Sequence, residues 1–96
     1  MRMIELASQF RRDYKRELKG PYRSALQGQK SELSATIELL ARDQALPARC
    51  RDHGLVGALR DCRDCHVRPD LLLIYRKPDA VTLQLIRLGS HSELGF

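Results

Sequence analysis

Hydrophobic and polar positions alternate with different periods along this chain, and each period predicts a different element. From Ser8, the residues Phe10, Tyr14 and Leu18 recur every four positions while Arg11, Arg12, Lys15, Arg16 and Lys19 fall mostly elsewhere. That is a helix with one buried stripe, ended by Gly20-Pro21. Leu26, Leu33, Ile37 and Leu40 supply a second stripe, weakened by Gly28 and closed before Pro47. This helix is expected to start near Ser24, where Ser24 and Gln27 have capping-box spacing. Two helices joined by so short a turn should lie antiparallel.

The period then changes. Leu71 to Tyr75 is an unbroken apolar run preceded by the turn signal Arg68-Pro69-Asp70, the pattern of a central strand covered on both faces. Residues 59–67 are expected to form its hairpin partner. Lys77-Pro78-Asp79-Ala80 reads as a second turn. Beyond it Val81, Leu83 and Leu85 alternate with Thr82 and Gln84 to about Leu88, a half-buried strand. Continued unbroken, that alternation puts Arg87 on the face of Leu83 and Leu85, snorkelling at a rim or presented to a ligand. Ile4 and Leu6 make residues 2–7 available as a short edge strand. Residues 47–58 read as a loop and residues 91–96 as a tail. The expected fold is α+β: two N-terminal antiparallel helices packed on a small antiparallel β-sheet, leaving the other sheet face or its rim for function.

Composition narrows this picture. Ninety-six residues make one domain with one modest core, built from aliphatic side chains because only three Tyr and two Phe are present and no Trp. The formal charge is +5, with ten Lys or Arg against six acids in residues 1–50 and seven against six in residues 51–96. A surplus so placed suits a polyanionic partner, since cationic side chains displace counterions from nucleic acid; its bland reading is a solubilising surface. The longest apolar runs fall far short of the roughly 20 residues that span a bilayer. The first twelve residues lack the apolar core of a signal peptide, so the expected location is cytoplasmic with no membrane contact. Three Cys are then expected as reduced thiols.

Candidate chemistry concentrates in the second half. Cys62-Arg63-Asp64-Cys65-His66 has the spacing of c-type haem attachment, but in a strand the two thiols would point to opposite faces and could not grip one porphyrin. All three histidines, His53, His66 and His91, lie there with Asp70 and Arg87. Metal ligation by the three histidines, Asp70 and the cysteines is an alternative, although the spacing follows no compact ligand pattern. Phosphodiester cleavage needs no cofactor: RNA carries its own 2′-hydroxyl nucleophile, and a base, an acid and a cation complete the requirement. Histidine can serve as either proton carrier near neutral pH, and an arginine can stabilise the charge growing on phosphate.

These residues also carry a family resemblance. Asp52 to Gly57 (DHGLVG), Arg63 to Tyr75 (RDCHVRPDLLLIY) and Arg87 to Phe96 (RLGSHSELGF) resemble, in order and spacing, the C-terminal half of YafQ-type toxins in the RelE/ParE superfamily of toxin-antitoxin systems. The resemblance is concentrated in residues 47–96; over the helices it rests on layout and length. It implies a toxin of a type II system that cuts mRNA on the 70S ribosome without metal or cofactor and halts translation. Its implied partner is a cognate antitoxin, of ribbon-helix-helix type, forming a hetero-oligomer that covers the site. By the resemblance His91 is the general acid, Asp70 or His66 the base, His53 a phosphate-positioning group and Arg87 the transition-state cation, with Phe96 and Arg63 on the substrate. Gly95 separates Leu94 from Phe96 where such toxins usually run directly from Leu to Phe, and Leu71 stands where some have an aromatic residue. The rival readings are a non-catalytic inhibitor of DNA gyrase on the same fold, as in the ParE branch, and a metal-binding module.

Overall fold

A computed structural model describes residues 1–96. The chain begins with strand β1 (Met3–Leu6) and helix α1 (Ser8–Glu17), followed by a single helical turn α2 (Arg23–Leu26) and helix α3 (Glu32–Ala41). Strands β2 (His53–Gly54), β3 (Arg63–Arg68), β4 (Leu71–Arg76) and β5 (Thr82–Gly89) come next, and a one-turn helix α4 (His91–Leu94) closes the chain. The five strands form one sheet in the order β1-β5-β4-β3-β2. β4 is its centre, and Leu71 to Tyr75 are each no more than 2% exposed, as an apolar run without alternation requires. No helix is long and apolar enough to cross a membrane.

Several expectations need correction. The sheet is mixed, because β1 runs parallel to β5. A continuous second helix does not form: Gly28 takes φ +91°, a left-handed conformation open to glycine, and separates α2 from α3. The cap is accordingly not Ser24 but Ser31, whose hydroxyl accepts from the Ser34 amide. The Leu26–Leu33 spacing misled because both side chains are buried from either side of a break. Residues 47–58 are not plain loop; they contain β2 and 3-10 turns at 48–50 and from residue 57. The hairpin partner begins at Arg63 rather than Leu59. The tail is ordered as α4 by a reciprocal capping box between Ser90 and Glu93.

The strand registers sort side chains onto two faces. Leu73 pairs with Cys65 and Leu88, and Tyr75 with Leu85; these face the helices in one apolar cluster with Phe10, Leu33 and Leu40. Between Tyr75↔Leu85 and Ile74↔Arg87 the register shifts by one residue at Ile86. This bulge reverses the alternation, so Arg87 does not share the face of Leu83 and Leu85. It joins Leu72, Ile74, Asp64 and His66 on the opposite face.

β1 pairs with β5 only as far as Leu85, and α1 takes over the exposed edge beyond. Asp13, fully buried on α1, accepts the Leu88 amide at 3.0 Å, and Arg16 donates to the Leu88 carbonyl at 2.9 Å. Arg87 Nε donates to Asp13 at 2.7 Å and Arg16 Nη1 does so at 2.8 Å. A carboxylate satisfied on this scale tolerates burial that would otherwise cost several kcal/mol. Burial raises the Asp13 pKa, but the bonds from Arg87, the Leu88 amide and Arg16 prevail and hold it below the usual carboxylate value.

Asp13→Ala is expected to lower the unfolding free energy by about 3 kcal/mol, because it strands a strand amide and two guanidinium groups; urea titration at pH 7 measures this. With its folded-state pKa below the unfolded value of about 3.9, the Asp13 contribution is complete above that pH and is lost as pH falls through the folded value. The difference between wild type and Asp13→Ala should therefore shrink only in strong acid.

Candidate active site

On the face opposite the helices, an open cleft of about 740 Å³ is lined by Arg51, Asp52, His53, Leu55, Asp64, His66, His91 and Phe96. Segments distant in the chain meet here. His66 lies on β3, His91 opens α4 after β5, and their rings meet edge to face with centroids 5.4 Å apart. His53 comes from β2, which pairs His53 with Asp64 of β3. Gly95 lets the chain fold back to bring Phe96 in: it takes φ +79°, and the Phe96 amide then donates to the His91 carbonyl at 2.9 Å.

Asp70, in the β3–β4 turn, holds His91. One of its oxygens accepts the His91 backbone amide at 3.0 Å and lies 2.5 Å from the His91 Nδ1. Both contacts hold the Asp70 carboxyl below the usual carboxylate value, the backbone bond most strongly. An ionised carboxylate can only accept, so His91 Nδ1 carries a proton and Nε2 is the nitrogen left for chemistry. The His53 ring is oriented likewise, with Nδ1 2.6 Å from the Arg51 carbonyl. Its Nε2 lies 3.7 Å from Asp64. Arg51 itself adopts a left-handed conformation with φ 49°, which costs a non-glycine residue on the order of 1 kcal/mol.

His66 carries no such tether. Burial lowers its pKa; the Asp64 charge pulls the other way, and the weaker influences of His91, Arg51 and His53 add to the lowering. Its neutral form is therefore favoured. Asp64 is the residue that sequence reasoning missed. It is 5% exposed, lines the cleft floor, and its Oδ1 has no hydrogen-bond partner. Burial raises its pKa, opposed by the charges of His53, His66 and His91. A signal was present, since Asp64 and His66 stand two apart on a strand and so share a face.

Of the residues singled out from sequence, His53, His66, His91 and Phe96 line the cleft, with Asp70 bound to His91. Arg87 and Arg63 do not line it. The Arg87 guanidinium is held by Asp13, and Arg63 Nε donates to Asp52 at 3.1 Å, which also accepts the Tyr75 hydroxyl at 2.7 Å. The three cysteines are free thiols and buried, and burial pushes the Cys62 and Cys65 thiols above their ordinary pKa, so neither of these two is poised as a nucleophile. No group of three His, Cys, Asp or Glu side chains that could hold a metal ion comes together in the structure.

In this small α+β domain an open, polar cleft gathers three imidazoles and two carboxylates, the groups that proton transfer requires. Residues 2–95 match the family described as the bacterial toxin of type II toxin-antitoxin system, YafQ. The chain belongs to that family. Among curated proteins, the mRNA interferase toxin YafQ of Escherichia coli strain K12 is 45% identical over 49 residues, 51% of this chain and 52% of that protein. The matched stretch thus spans about half of that relative. Among solved structures, a metal-bound toxin from Helicobacter pylori has a TM-score of 0.82 at 42% identity, covering 98% of this chain and 99% of that one. The Escherichia coli DinJ-YafQ complex contains a chain with a TM-score of 0.78 at 33% identity, covering 98% of each.

Asp64→Asn should leave the fold intact and lower the His66 pKa further, because it removes the charge that most favours the imidazolium. Proton NMR titration of the His66 ring measures it; an unchanged or raised value would show that Asp64 exerts no field on the cleft.

Proposed function

We propose that this protein is the toxin of a type II toxin-antitoxin pair, a ribosome-dependent endoribonuclease that cleaves mRNA by metal-independent acid/base chemistry. The observation that carries the reading is the Asp70–His91–His66 arrangement, in which one imidazole is tethered to a carboxylate and faces another that burial keeps neutral. His66 takes the proton of the 2′-hydroxyl as general base. The O2′–P bond forms, the P–O5′ bond breaks, and the departing 5′-oxygen takes a proton from His91 Nε2–H. Products are a 2′,3′-cyclic phosphate and a free 5′-hydroxyl. Asp70 is engaged by His91 at both its backbone and its ring, which suits it to orient the acid and stabilise the imidazolium rather than to act as base.

His53 and Arg51 supply positive charge at the scissile phosphate, and Phe96 stacks on a flanking base. Arg87 shares the sheet face of His66 but is paired with Asp13, so its role is to add positive potential from beneath while holding β5. The E. coli relative solved with DinJ supports a cognate antitoxin as partner, and the sequence resemblance implies one of ribbon-helix-helix type. The surplus of Lys and Arg in residues 1–50 suits docking on ribosomal RNA.

Expression of wild type should arrest growth and yield cuts in mRNA on translating ribosomes, whereas His91→Ala should do neither. A positioned acid contributes roughly a hundredfold to ten-thousandfold. Intact mRNA beside stalled replication would instead favour gyrase inhibition, and stoichiometric zinc or iron in elemental analysis of the purified protein would favour a metal-dependent reaction. The pH profile should be bell-shaped. Because burial lowers the His66 pKa below 6.5, its acid limb should lie below pH 6.5, and a limb above that value would remove His66 as the base.

A further inference from the structure

A second cavity, of about 360 Å³, opens between α3 and β3, and His66 lines both it and the cleft. One side chain therefore separates the two spaces. We infer that this cavity receives the base of a nucleotide flanking the scissile phosphate, with Arg49 at its mouth holding that nucleotide's phosphate; the inference rests on the ribonuclease reading. Single-stranded RNA is recognised by splaying bases into pockets, stacking them on aromatic or guanidinium planes and reading their edges.

The cavity has each part. Ala35, Leu39 and Val67 provide apolar wall. Its two arginines are prepared for different tasks. Arg68 is clamped by Glu32 through two bonds, Nε to Oε2 at 2.5 Å and Nη2 to Oε1 at 3.0 Å. Its charge is thereby balanced and its plane fixed, which suits stacking. Arg49, exposed in the middle of the 3-10 turn at 48–50 and lining the same cavity, has no carboxylate within ion-pair distance, and its guanidinium is free for a phosphate. Thr36 is 7% exposed and lines the cavity. Its hydroxyl donates to the Glu32 backbone carbonyl at 2.9 Å, so what it offers a base is an acceptor. A base seated there would direct its sugar-phosphate past His66 into the cleft.

The test uses full-length protein on translating ribosomes, with wild type, Arg49→Ala and Thr36→Val compared by single-turnover kinetics and by mapping of cut positions. Thermal melts of the purified variants check their folding. Arg49→Ala should raise KM roughly tenfold more than it lowers kcat, the loss expected of one charge-assisted contact. Thr36→Val should redistribute cuts according to the base at one fixed position relative to the break, without abolishing cleavage. Unchanged KM and cut map in both variants, beside an active wild type, would overturn the subsite and leave the ribonuclease reading standing. A KM effect of Arg49→Ala with an unchanged Thr36→Val map would likewise overturn it, assigning Arg49 to ribosomal RNA. A wild type that cuts no RNA would remove both readings.

Discussion

The buried carboxylate of Asp13 is the interaction on which the geometry of this molecule depends. It lies where α1 replaces a missing strand, accepting the Leu88 amide and two guanidinium groups at once. Arg16, one of those guanidinium groups, also reaches Glu93 of α4 at 3.1 Å. Glu93 in turn accepts the Ser90 amide that caps α4. A continuous set of ionic contacts thus runs from the N-terminal helix to the short helix that opens with His91. Since an unpaired buried charge is costly, the whole set is satisfied together or not at all. A four-residue helix has no independent stability, so the position of the tethered imidazole rests on this network and on Asp70.

The same device explains why the cleft can be open. Leu72 and Ile74 share the sheet face of Asp64 and His66 yet are fully buried, so the polar, titratable groups of the cleft stand beside a packed apolar layer. Burial is used selectively. It disfavours charge on His66 and Asp64 at the floor, while Asp70 in the β3–β4 turn remains ionised through its bonds to His91. Groups of one chemical type are thereby given opposite tendencies to ionise within one site, a separation that acid/base chemistry exploits. The chain belongs to the YafQ toxin family, and the cleft gives that membership a physical content.

How much of this was legible from sequence follows from the range over which each signal acts. The central strand was legible because five consecutive apolar residues admit few other environments, and α1 because a four-residue recurrence is a local property. The break at Gly28 was hidden, since two buried leucines on either side of it mimic an unbroken stripe. The reversal at Ile86 was hidden because a bulge depends on the partner strand, and it moved Arg87 from the helix-facing side to the other face. Asp64 was overlooked because its neighbours in sequence offered a cysteine motif in its place, although its spacing from His66 was informative.

By itself the amino-acid order determined the class of fold, the identity of the histidines and carboxylates that could carry chemistry, and the surplus of positive charge in the first half. These follow from composition and short periodicities, which a linear chain records directly. Only the tertiary structure decided which of those groups meet. The pairing of His91 with Asp70, the meeting of His53 with Asp64 and the capture of Arg87 by Asp13 each join residues far apart along the chain. Such encounters depend on strand register and on the burial of charge, quantities that come into being only once the sheet has formed.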